Sequence, residues 1–141
     1  MYNATPGGVE QLVLHFGEEE FHMAHFIHIF FSAAAGSAIF RSYKDSMLKG
    51  IPVVFASSVS LCSLSDSLIP FLGLRMFGEA ADIHVCAAEH PVLVALFAAA
   101  GIALGRIGGQ FFRHCNRSFH LFHILISTAA SVLYMIIFAD V

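Results

Sequence analysis

Nine of the 141 residues are histidine, and most of them stand beside carboxylates in a chain that is otherwise strongly apolar. Glu18, His22 and His25 are spaced i, i+4 and i+7, so on a helix at about 100° per residue they share one face, which His15 and Glu19 extend. Imidazole nitrogen and carboxylate oxygen on one face suit Zn²⁺ or another divalent first-row ion. His84, Glu89 and His90 form a second group of the same donor types. The spacing is looser than a diagnostic H-E-x-x-H, and a solvated helix end with interfacial histidines is the competing reading.

Asp66 is the other residue with chemical meaning, because it interrupts an apolar stretch from Gly50 to Leu74. A carboxylate in hydrocarbon costs several kcal/mol unless paired or hydrated, and such residues mark ion or proton paths. Counted from one end of the helices, Asp66 lies sixteen residues above Gly50, His28 twelve above Phe40 and Tyr134 sixteen above Ser118. Level helices therefore predict a constellation of Asp66, His25, His28 and Tyr134. The alternative is a protonated Asp66 bonded to serines of its own helix, Ser58, Ser60, Ser63 and Ser65. The expected metal set is Glu18, His22, His25, His28, Asp66, His84, Glu89 and His90.

His114, His120 and His123 gather with Arg113 and Arg117, whose charge repels a cation, so they read as interfacial side chains that snorkel. Cys62, Cys86 and Cys115 never form C-x-x-C and fall at different depths. They read as small buried hydrophobes, without a disulfide framework.

Positioning these groups requires helices long enough to carry them. A helix spanning a hydrocarbon layer needs roughly 20 apolar residues, and four stretches qualify: 21–40, 50–74, 90–112 and 118–139. Their connections are short, which predicts one all-α domain, an antiparallel bundle of four transmembrane helices. Arg41, Lys44, Lys49, Arg106, Arg113 and Arg117 collect at one face and only Arg75 at the other. Cytoplasmic loops retain basic residues, so both termini and the acidic, histidine-rich mouth are expected on the non-cytoplasmic side of a plasma or inner membrane.

Residues Val9, Leu12, Val13 and Phe16 follow helical spacing ahead of the first span and predict a short helix on the membrane surface. Within the spans, Ser32 to Ala38 and the Gly101, Gly105, Gly109 run offer small faces for close helix packing. Packing within one chain is preferred there, and a homo-oligomer stays open. Pro70, one turn past Asp66, predicts a kink.

Composition agrees with a lipid environment: 57% hydrophobic, 12% charged and a mean hydropathy of +0.76. A net charge of −3 without a basic patch excludes a nucleic-acid interface. The leading expectation is a protein that binds a zinc-like metal ion at its mouth and transports it, or coupled protons, past Asp66. Haem b held by two histidines, as in membrane cytochromes, is the alternative cofactor. A membrane enzyme with a histidine-bound metal lacks its usual motifs here, and a non-catalytic accessory subunit is the remaining alternative.

Overall fold

The computed structural model describes residues 8–42, 47–109 and 116–140, with side chains described for 17–41, 49–109 and 121–139. His15, His114, Cys115 and His120 lie outside the described side chains, as do Glu10, Lys44, Arg113, Arg117 and the Val9 to Phe16 face. The chain is mostly helical. Its elements are α1 (Gly8–Ser42), α2 (Met47–Ser63), a π-helical turn (Leu64–Leu68), α3 (Ile69–Met76), β1 (Ala80–Ala81), α4 (Cys86–Glu89), α5 (Pro91–Ile107), α6 (Asn116–Ile137) and β2 (Ala139–Asp140).

α1 runs unbroken for 35 residues, about 52 Å at the usual rise, so the segment before the first apolar stretch continues the same helix. Two helical segments are long and apolar enough to cross a membrane, Gly17–Arg41 and Lys49–Met76. The shorter apolar helices are Pro91–Ile107 and Leu121–Ile137. α5 ends at Ile107, short of the predicted Phe112, where Gly108 donates to the Leu104 carbonyl at 2.7 Å.

α1 lies against α2, α5 and α6, and the small residues explain how closely. A methyl group at Gly101 would overlap the Phe30 carbonyl oxygen, and one at Gly105 would overlap that of Ala34. Gly101 and Gly105 therefore serve packing within the chain, backbone against backbone, while Gly109 lies beside the Arg41 side chain. Ser37 adds a hydrogen bond to the Ile102 carbonyl at 2.9 Å. At the far end the Arg41 guanidinium donates to the Arg106 carbonyl.

The predicted distortion near Pro70 takes the form of the π-helical turn. Proline has no N–H to return to the residue 66 carbonyl, which frees the preceding turn to widen. Ile69 N–H then bonds the Leu64 carbonyl, five residues back. Asp66 and Ser67, neighbours that a regular helix would separate by about 100°, are both buried. The helix stops at Gly78, whose φ of +86° lets Glu79 N–H reach back to the Leu74 carbonyl, a closing geometry glycine adopts without a Cβ penalty.

The connection after Gly78 is tied down twice. Ala80 and Ala81 pair antiparallel with Asp140 and Ala139. The Tyr134 hydroxyl donates to the Asp82 carbonyl at 3.0 Å and accepts His84 N–H at 3.2 Å. This loop end of the molecule is the mouth named below.

Candidate metal centre

Two polar clusters form. At the mouth, His22 of α1 meets His84 of the loop, Nε2 to Nε2 at 2.8 Å. Cys86, the first residue of α4, places Sγ 3.5 Å from His84 Nε2. One ligand atom from each of His22, His84 and Cys86 lies within 4.8 Å of the others. On the opposite side of the His84 ring, Nδ1 sits 2.9 Å from Glu89 Oε1. That carboxylate fixes the tautomer so that the Nε2 lone pair faces the cluster. The His90 ring stands edge-on to His22, centroids 4.7 Å apart.

Burial sets the protonation of the two loop side chains. It lowers the His84 pKa below 6.5, against the opposing pull of Glu89 and reinforced by His90, so the ring is neutral at pH 7. Burial pushes the Cys86 thiol up to about 12, with Glu89 adding to the effect. A metal on Cys86 must therefore displace a proton.

Further along α1, Asp66 Oδ2 accepts from His25 Nδ1 at 2.9 Å and His28 Nδ1 at 2.7 Å. Its Oδ1 accepts from Ser65 at 2.7 Å and Ser127 at 3.1 Å. Four donors on two oxygens are the pattern of an ionised carboxylate, since a protonated one would have to donate as well. The own-helix serine alternative holds only for Ser65: Ser58 turns to the Val54 and Phe55 carbonyls, and the histidines of α1 take one carboxylate oxygen. His28 Nε2 lies 2.7 Å from His123 Nε2, and His25 Nε2 is buried without a hydrogen-bond partner. Phe21, fully buried, touches a histidine of each cluster, with centroids 5.8 Å from His84 and 5.9 Å from His25.

No family model, curated protein or solved structure matches the chain. Its chemistry has to be read from the side chains.

The predicted residues are divided between the clusters rather than pooled. His22, His84, Glu89 and His90 meet at the mouth, while His25, His28 and Asp66 meet along α1. Glu18 is exposed, close enough for its charge to act on His84 but outside the three-atom group. Tyr134 does not join Asp66. It serves the loop, and Ser127 takes its place. His123, expected among snorkelling side chains, is bonded to His28 instead.

One displacement accounts for these last differences. His123 meets His28 and Ser127 meets Asp66, each seven residues higher along the helix than equal heights allow, so α6 sits about 10 Å nearer the mouth than a level bundle predicts. Cys86 is buried as expected yet faces two histidines. The signal for it was the His84-x-Cys86 spacing one turn before Glu89 and His90.

Proposed function

We propose that the chain is a small integral membrane protein of four antiparallel spans, both termini non-cytoplasmic, that binds a zinc-like divalent ion at its mouth. The ion is held by His22, His84 and Cys86 and passes, alone or coupled to protons, inward past Asp66. The observation that carries the reading is the convergence of two imidazole nitrogens and one sulfur, with Glu89 orienting His84 from behind. Tetrahedral zinc with Zn–N of about 2.0–2.1 Å and Zn–S of about 2.3 Å sets its N and S ligands roughly 3.5 Å apart and its N ligands roughly 3.3 Å apart. The Cys86 to His84 separation of 3.5 Å fits as it stands. The His22 to His84 contact of 2.8 Å must open by about 0.5 Å, a rotamer adjustment. Three protein ligands leave a position for water or cargo, the arrangement of zinc sites that exchange ligands rather than only hold the fold.

The membrane part of the reading is supported by an inverted distribution of polarity. Large apolar side chains such as Ile51, Leu61, Leu72, Leu96, Leu125 and Ile136 are exposed, while Asp66, His25, His28, Ser37 and Ser67 are buried. Water as solvent would favour the reverse. Helices of 17 residues, the length of α5, reach the lower end of what spans a bilayer. Haem is the weaker cofactor reading, because a bis-histidine haem needs its two Nε2 atoms on opposite faces of the macrocycle. Both facing pairs here are in direct contact.

The test is Zn²⁺ binding by the purified chain in detergent. One tight equivalent is expected, lost in the His22→Ala, Cys86→Ser double variant. Undiminished binding in that variant would overturn the assignment, and a colourless, metal-free protein would leave the accessory-subunit reading in its place.

A further inference from the structure

We infer that His28 and His123 form a second divalent-cation site, held in place by Asp66 and separate from the mouth. The inference extends the mouth reading, sharing with it only the premise that the protein handles a divalent ion. Three observations point to it. First, the two Nε2 atoms face one another at 2.7 Å, repeating the geometry of the His22–His84 pair. For a tetrahedral ion they must part by roughly 0.6 Å; His123 is half-buried and His28 nearly enclosed.

Second, His28 is oriented as metal-binding histidines are. Its Nδ1–H is taken by Asp66, which leaves the Nε2 lone pair as the coordinating atom. The carboxylate is itself fixed by His25, Ser65 and Ser127, so the orienting group cannot swing away. Asp66 is a buried negative charge, and a cation on its histidine supplies the compensation that low dielectric demands.

Third, the pair opens onto a groove of about 500 Å³ in which Ser32, Ser65, Ser127 and Ser131 stand among apolar side chains such as Leu61 and Ile69. A two-histidine site needs further ligands, and a groove of that size has room for the waters that would complete it, with serine hydroxyls to hold them. The chemistry differs from the mouth in one decisive respect. The mouth offers a thiol, which favours softer ions. At the inner pair Cys62 also lines the groove, but its sulfur forms no common group of ligand atoms with the two histidines, so imidazole and water are what the site offers, which suits a borderline ion bound more weakly and released more readily.

Co²⁺ titration of the purified full-length chain in detergent separates the two. The expected result is two equivalents, the tighter with a thiolate-to-cobalt charge-transfer band and the weaker without one. His123→Gln is expected to remove the weaker equivalent and keep the band, with the thermal unfolding midpoint close to wild type. Cys86→Ser is expected to abolish the band and keep the weaker equivalent, so failure of the mouth assignment and of this one read out differently. Retention of two equivalents in the His28→Gln, His123→Gln double variant, or a single equivalent that carries the charge-transfer band in the wild-type protein, overturns the second site, whereas a single equivalent without the band overturns the mouth.

Discussion

The two clusters use the same residue type in opposite structural settings. The mouth is assembled from one helix and a loop: His22 comes from α1, while His84, Cys86 and Glu89 lie within six residues of one another. Its carboxylate is half-exposed. The inner cluster draws on three separate helical elements, α1, the π-helical turn and α6, and its carboxylate is wholly buried. An exposed carboxylate tunes a ligand at small energetic cost. A buried one has to be matched by every neighbour, so the inner cluster also holds the helices together.

The largest expected effect follows from that contrast. Asp66→Ala strands two buried imidazole N–H groups and the Ser127 hydroxyl, while Ser65 keeps the Cys62 carbonyl as acceptor, and removing one partner from a buried charged network costs about 3–5 kcal/mol. Denaturant unfolding in micelles should show that loss for Asp66→Ala and far less for Glu89→Ala. Comparable losses for the two variants would break the distinction between a structural and a tuning carboxylate.

Glu89→Gln sharpens it from the other side. Replacing the group that orients a metal-binding histidine lowers metal affinity about 10- to 100-fold. The drop should appear in calorimetric Zn²⁺ binding to the mouth, with fold stability unchanged. A variant that binds as tightly as wild type would mean that Nδ1 of His84 is oriented by something other than this contact.

Acidity is expected to act next in size. An ion bound at the mouth as proposed would release the Cys86 proton, so affinity is expected to fall about tenfold for each unit of pH lowered. Protonation of His84 steepens the slope only under its lowered pKa, below 6.5. The sign for stability is the same: burial depresses the His84 pKa, the unfolded chain binds that proton more readily than the folded one, and acidification through 6.5 destabilises the loop. A Zn²⁺ affinity independent of pH between 6 and 8 would show that the thiol is not a ligand.

Part of this was legible in the sequence. The distortion before Pro70 and the Gly101–Gly105 contact follow from sterics at one position, and the pairing of Asp66 with His25 and His28 follows from counting two helices to the same height, whereas the Glu18, His22, His25 face is divided, with His22 at the mouth, His25 on Asp66 and Glu18 exposed. What was not legible depends on how one helix slides past another. Short connections suggest level helices, and nothing in α6 itself fixes its height. The Tyr134 bonds to the loop and the β1–β2 pairing do so from outside. The outward displacement brings Ser127 and His123, rather than Tyr134, to Asp66 and His28. Cys86 is buried as the sequence predicts, and its nearness to His22 and His84 depends on the loop, which spacing alone does not place.

Tyr134 therefore carries the smallest but most discriminating prediction. Its hydroxyl bridges Asp82 and His84, two loop positions, while its ring is fully buried against Phe21 and Phe138. Tyr134→Phe keeps the ring and deletes the bridge, at a cost of about 1 kcal/mol for the lost hydrogen bonding. Because the bridge holds the backbone of His84, the loss should fall on the mouth. A several-fold weaker Zn²⁺ site is expected there, while the Asp66 cluster, tied to α6 through Ser127 and His123, is unaffected. If Tyr134→Phe weakened both regions equally, the hydroxyl would be setting the height of the whole of α6 rather than the position of one loop.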